Sequence, residues 1–183
     1  MDILETKIRL FGVANDSIVD GPGLRYSIYT QGCPHHCAGC HNPESWSFDG
    51  GEVTTVGALI DDIQKNKLIH DVTISGGDPF AQAKPVSILV QELKKRDFSV
   101  WIFSGWTFGE LQKKSEAEKA ISEILKNVDV LVDGRFEECL KSLDLKWKGS
   151  SNQRVIDMNK TREKDQLTFW EEFSLDDEIP PNW

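Results

Sequence analysis

The strongest constraint on how this chain can fold is a repeated order of short apolar runs, each closed by a small or polar turn. Val72-Thr73-Ile74-Ser75 stops at Gly76-Gly77-Asp78-Pro79, and a helix is expected from about Pro85, with Val86, Leu89, Val90 and Leu93 on one face. Val100-Trp101-Ile102-Phe103 stops at Ser104-Gly105, and Thr107 with Glu110 three residues on is a capping box for a helix expected to reach Asn127. Val128–Val132 stops at Asp133-Gly134, and Gln153-Arg154-Val155-Ile156 reads as a last strand. Upstream, Ile8–Val13 and Tyr26–Thr30 are strand-like on either side of Gly21-Pro22-Gly23, and Val56, Leu59, Ile60 and Ile63 have helical spacing behind Thr54 and Thr55 as caps. Alternating strands and helices predict an α/β fold with a mostly parallel sheet of about five or six strands. In such sheets ligands sit beyond the carboxyl ends of the strands, where these turns lie.

One of those turns carries the chemistry. Of the chain's four cysteines, Cys33, Cys37 and Cys40 fall in Gly32-Cys33-Pro34-His35-His36-Cys37-Ala38-Gly39-Cys40-His41-Asn42, at the spacing C-x3-C-x2-C. Pro34 and Gly39 keep this loop from regular helix, so the thiols can converge on one metal centre but are poorly placed to staple distant segments together. Three ligands suit an iron-sulfur cube with one iron left open for substrate, as catalytic zinc sites keep an open position. The competing reading is a structural zinc site completed by His35, His36, His41 or Cys139. Cys139, within Phe136-Glu137-Glu138-Cys139-Leu140, reads as a partly buried, inert thiol.

The 183 residues, 39% of them hydrophobic, suit one domain with one core. A formal net charge of -9 leaves no basic footprint for a phosphate backbone, so nucleic acid is not the expected partner. No apolar run is long enough to cross a bilayer, and Met1-Asp2-Ile3-Leu4-Glu5-Thr6-Lys7 lacks the order of a secretory signal. A cytoplasmic location, where thiols stay reduced, is the expectation.

The spacing of Cys33, Cys37 and Cys40 together with Gly76-Gly77-Asp78-Pro79 resembles the radical S-adenosylmethionine (SAM) superfamily, whose glycine-rich strand-end turn binds the amino group of SAM. Within it the chain is most similar to the activating proteins of anaerobic (class III) ribonucleoside-triphosphate reductases. The runs that carry this likeness are Val19-Asp20-Gly21-Pro22-Gly23-Leu24-Arg25, Cys40-His41-Asn42-Pro43-Glu44-Ser45-Trp46, Asp129–Phe136 and Gly149–Ile156. The resemblance implies a partial (β/α) barrel of radical SAM type, with a core over about 8–157 and an extension over about 158–183. It also implies a 4Fe-4S cluster on the three cysteines and SAM as cofactor. Cleavage of SAM to methionine and a 5'-deoxyadenosyl radical then places a glycyl radical near the reductase's C-terminus. A low-potential electron donor such as flavodoxin is implied as well.

By position, Gly39, Cys40 and His41 would line the SAM side of the loop, and Gly76, Gly77 and Asp78 would form the SAM turn. Ser104, Asp133 and Arg135 would contact SAM or shape the opening for the glycine loop, with Asn152 and Arg154 as further candidates. Gly39 stands where many relatives carry an aromatic residue, so the adenine needs another packing surface. A related alternative is an activase of another glycyl-radical enzyme such as pyruvate formate-lyase, and one of a different class is a non-catalytic zinc or electron-carrying module. The acid-rich tail with Phe169, Trp170, Phe173 and Trp183 carries no readable role.

Overall fold

The computed structural model describes residues 3–171. Its centre is one seven-stranded sheet in the order β3-β1-β2-β4-β5-β6-β7. The strands are β1 (Lys7–Ser17), β2 (Arg25–Thr30), β3 (Glu52–Thr55), β4 (Asp71–Gly76), β5 (Ser99–Ser104), β6 (Val130–Asp133) and β7 (Arg154–Asp157). The helices are α1 (Val56–Ile63), α2 (Ala83–Lys94), α3 (Phe108–Ala117), α4 (Lys119–Asn127) and α5 (Met158–Lys164).

The sheet is mixed, which corrects the expected mostly parallel partial barrel of five or six strands. Only β2, β4, β5 and β6 run parallel to their neighbours in this series, while β1 pairs antiparallel with β2 and β3, and β7 pairs antiparallel with β6. The cause is the connections. A parallel pair needs a crossover of a dozen or more residues, usually a helix, and only the segments carrying α1, α2 and α3–α4 supply one between paired strands. The Gly21-Pro22-Gly23 segment is too short to cross over and returns β2 against β1. β3 escaped the sequence reading because it is a short, polar edge strand with Glu52 and Val53 exposed.

The expected helix from Thr107 to Asn127 is two helices. At 100° per residue Ile124 would lie about 220° around a continuous helix from Leu111, so both could not face the core. Both are fully buried, and the chain breaks at Glu118, whose extended backbone (φ -125°, ψ 99°) lets α4 turn Ile121, Ile124 and Leu125 inward. The capping box stands as expected: Thr107 accepts from the Glu110 amide and the Glu110 carboxylate accepts from the Thr107 amide.

The main core lies between the sheet and its helices. Ile28, Ile74, Ile102 and Leu131 face Val56, Leu59, Ile60 and Ile63 of α1, Val86, Leu89, Val90 and Leu93 of α2, and the apolar face of α4. Each such side chain contributes about 1.5–3 kcal/mol by leaving water. The alternate residues of the same strands look the other way, where Trp101, Val130 and Val132 pack with Phe103, Trp147, Val155 and Trp170. Part of the expected extension closes this second face. Asp157 caps α5, Phe169 bridges to Ile156, the Trp170 amide donates to the Val155 carbonyl at 2.9 Å, and the Trp170 ring lies 5.1 Å from Trp101. Phe173 and Trp183 lie outside the described residues.

Candidate functional site

The site forms where β2 and β4 end side by side. Thr30 pairs with Gly76 in parallel register, and the two loops that follow are tied together by Gly77 N–H to Thr30 O at 2.7 Å and Asp78 N–H to Gly32 O at 2.9 Å. Two glycines make this approach possible. Gly76 has φ +97°, and a Cβ there would meet the Thr30 amide nitrogen at 2.5 Å. A Cβ on Gly77 would meet the Gly32 carbonyl carbon at 2.8 Å and the Ser45 oxygen at 3.0 Å. The cysteine loop is held from its other end by Gly32 N–H to Ser45 O and Cys33 N–H to Trp46 O.

Above this junction is a cavity of about 400 Å³, within the usual range for small-molecule sites. Cys33, Cys37, Cys40 and His41 line it together with Gly76, Gly77 and Ser104. Of the other expected residues, Gly39, Asp78, Asp133 and Arg135 are not on its wall. Gly39 (φ +71°) faces the Glu138 side chain. Asp133 is buried and occupied, accepting from Arg154 Nε at 2.9 Å and from the Phe108 amide at 2.6 Å at the start of α3. Arg135 is partly exposed, its guanidinium 5.2 Å over the Trp106 ring and 3.6 Å from Glu110. Asn152 donates to the Arg135 carbonyl, and Gln153 accepts from the Gly149 and Ser150 amides while donating to the Gly134 carbonyl. The Gly149–Ile156 run thus clamps its own loop onto residues 134–136.

Asp78 is the buried hub beneath the cavity. It is fully inaccessible and accepts from the Phe80 amide at 2.9 Å, Ser104 Oγ at 3.0 Å and the Gly105 amide at 3.0 Å. His35 Nε2 lies 2.6 Å from the same oxygen that takes the Gly105 amide, and because a carboxylate only accepts, Nε2 carries that proton. His35 is equally enclosed, edge-on to Trp106 at 4.6 Å. Asp78 therefore joins the cysteine loop, the β4 turn and the β5 turn.

Asp20, Tyr29 and Trp147 are among the wall residues that were not singled out as site residues from the sequence. Asp20 accepts from Ser27 at 2.9 Å, from Tyr29 at 2.7 Å and from Ser17. Burial, and then the bond to Asp20, pushes the Tyr29 hydroxyl up to about 12. The signal for Asp20 was its place in the Val19–Arg25 run; Trp147, flanked by lysines, carried none.

The three thiols fit an iron-sulfur cluster with one iron open. They share one wall, and burial pushes the Cys33 and Cys37 thiols up, a cost that a cationic iron centre offsets by stabilising the thiolates. Cys139 is exposed in the short turn Glu138–Leu140, which corrects the expected partial burial, and it is not on the cavity wall. Among the described residues, no three His, Cys, Asp or Glu side chains close on a single ion. Of the possible fourth ligands of a zinc site, His35 has its Nε2 bonded to Asp78, His36 lies edge-on to Trp46 at 5.0 Å and His41 lies against Phe136 at 5.2 Å.

Comparison with known proteins decides the family. Residues 19–156 match the family described as a 4Fe-4S single cluster domain. The anaerobic ribonucleoside-triphosphate reductase-activating protein of Haemophilus influenzae is 33% identical over 152 residues, covering 75% of this chain and 90% of the relative. The chain belongs to this family. Proteins of the same description from Vibrio cholerae (35% over 146 residues, 75% of this chain and 90% of the relative) and bacteriophage T4 (34% over 144 residues, 75% and 86%) are similar to the same extent. The family's cofactors are a 4Fe-4S cluster and SAM. Among the described residues, no helix is long and apolar enough to cross a membrane.

Proposed function

We propose that this chain is the glycyl-radical activase of an anaerobic ribonucleoside-triphosphate reductase, with Cys33, Cys37 and Cys40 as its catalytic and cluster-ligating residues. The observation that carries this reading is that these three thiols and the Gly76-Gly77 turn line one cavity at the adjacent ends of β2 and β4. When bound, the cluster and SAM supply methionine and a 5'-deoxyadenosyl radical, which takes a hydrogen atom from a glycine of the reductase.

The chain's own residues hold and enclose. Gly76 and Gly77, without side chains, let the β4 turn pack directly against the backbone of Thr30, Gly32 and Ser45, and the turn held there takes the amino acid end of SAM. Cys40 and His41 form the SAM side of the loop, which Gly39 allows to turn. Asp78 and Ser104 act from beneath, fixing the turn through the bonds to His35 and Gly105. Asp133 and Arg135 shape the rim that admits the glycine segment. One catalytic domain over about 8–157 carries these roles. A low-potential donor such as flavodoxin and a cytoplasmic setting complete the proposal.

The test is to mix the anaerobically reconstituted, reduced protein and SAM with the reductase, and separately with pyruvate formate-lyase, and to record electron paramagnetic resonance spectra. A glycyl-radical signal on the reductase is expected. A signal only on pyruvate formate-lyase would move the assignment to a different activase.

A further inference from the structure

We propose that Asp78 is a positioning residue for electron uptake, its buried carboxylate holding the reduction potential of the cluster low from beneath Cys33. The inference rests on the cluster reading above and gives a role in the reaction to a carboxylate that lies off the cavity wall.

Asp78 grips the cysteine loop on both sides of Cys33. Its amide donates to the Gly32 carbonyl at 2.9 Å, one residue before that cysteine, and its carboxylate takes the His35 Nε2 proton at 2.6 Å, two residues after it. Asp78 is fully inaccessible and Cys33 is 8% exposed, so water does little to screen the charge from the sulfur. The partners of the carboxylate are the Phe80 and Gly105 amides, Ser104 Oγ and the imidazole, and among the described residues no lysine or arginine pairs with it. These donors stabilise the anion without cancelling it. Arg135, a cation beside the loop, bears on Cys37 rather than on Cys33.

The charge is felt at the sulfur. Burial pushes the Cys33 thiol up, the His35 amide pulls it down by donating to the sulfur, and the Asp78 charge adds to the rise. An anion that disfavours negative charge on this sulfur also disfavours an added electron on the iron it would hold, since the potential of such a cluster follows local charge and the hydrogen bonds to its sulfurs. A lower potential makes a stronger reductant once the electron has arrived, which cleavage of a sulfonium requires. His35 takes part as a neutral donor: its one proton lies on Nε2 and its ring is fixed edge-on to Trp106 at 4.6 Å, so the pair keeps the negative charge of the carboxylate.

The test is a redox titration of the anaerobically reconstituted protein without SAM, followed by electron paramagnetic resonance of the reduced cluster, with iron and sulfide measured on each sample. Asp78→Asn and Asp78→Ser both remove the charge, and the second keeps a hydroxyl to accept from the Phe80 amide. In either, the ratio of reduced to oxidised cluster at a fixed potential should rise about tenfold, a positive shift of about 59 mV. His35→Gln keeps a donor to the carboxylate and changes no charge, so its potential should match wild type. An unchanged or lower potential in the loaded Asp78 variants would overturn the proposal. So would an equally large shift in His35→Gln; a fall there would mean that an imidazolium had been cancelling the carboxylate. Loss of the cluster from both Asp78 variants would leave Asp78 a structural tie alone and overturn it as well. No cluster on wild type would instead overturn the reading on which it rests.

Discussion

Replacing Asp78 with Asn asks how much the fold depends on the carboxylate beneath the cavity. One oxygen accepts from the Phe80 amide at 2.9 Å; the other accepts from Ser104 and the Gly105 amide at 3.0 Å each and lies 2.6 Å from His35 Nε2. An amide has a single accepting oxygen, so whichever way the new side chain turned, its NH2 would face a backbone N–H that is now satisfied. Leaving one buried donor without an acceptor costs about 1–3 kcal/mol, and the bonds that survive lose their charge-assisted part. The sum is about 2–4 kcal/mol, a large share of the roughly 5–15 kcal/mol that holds a domain folded. Asp78→Ala, which strands His35, Ser104 and both amides at once, should cost about 3–5 kcal/mol. Urea unfolding of the metal-free protein under reductant reads these numbers directly. The midpoint should fall with the slope unchanged, and the melting temperature of the Asp78→Asn variant should drop by about 4–16 °C. A loss below about 1 kcal/mol in Asp78→Asn would refute the view that this carboxylate ties the three loops together.

Other outcomes follow from the same geometry. Gly77→Ala places a methyl group against the Gly32 and Ser45 backbone, which cannot move aside without shifting the cysteine loop; iron and sulfide content after reconstitution should fall, and full loading would contradict the close approach. Cys139→Ala should keep wild-type iron and sulfide because that thiol is exposed and off the cavity wall, and loss of the cluster in this variant would make it a ligand. Both tyrosines, Tyr26 bonded to Asp62 and Tyr29 bonded to Asp20, are held above their ordinary ionisation, Tyr29 at about 12. The unfolded chain ionises its tyrosines near pH 10, so the native state retains protons that the unfolded state has lost. This contribution to stability is therefore complete below about pH 10 and is lost as pH rises toward 12. Ultraviolet titration should show no tyrosinate in the folded protein at pH 10.5, and a normal titration at that pH would remove the claim.

Much of the fold was legible because its signals are local. The apolar periodicity that placed β4, α2, β5 and β6 reports faces buried against one core, and the capping box of Thr107 and Glu110 marked the start of α3 to the residue. The errors in strand direction and in the length of the third helix come from what periodicity does not encode. Strand direction depends on whether a connection can cross over, and the break at Glu118 depends on where Leu111 and Ile124 must both find the core. At the site, spacing was enough to bring Cys33, Cys37 and Cys40 to one wall, since seven residues of loop cannot carry them far apart. Spacing could not distinguish lining from support. Asp78, expected in the SAM turn, and Asp133, expected at SAM or at the opening for the glycine loop, are enclosed by protein donors off the cavity wall, and Arg135 lies along Trp106. Trp147 reaches the cavity from more than a hundred residues away in the chain, a relation that only tertiary packing creates.

The central claim is that Cys33, Cys37 and Cys40 hold an open-iron cluster that supports cleavage of SAM for the reductase. The measurement that tests it most directly is release of 5'-deoxyadenosine from SAM by the anaerobically reconstituted, dithionite-reduced protein with the reductase present, beside a variant in which all three cysteines are Ala. Release by wild type and none by the variant is the expected result. A wild-type protein that carries its full iron and sulfide yet releases no 5'-deoxyadenosine, or a variant that releases as much as wild type, would contradict the account.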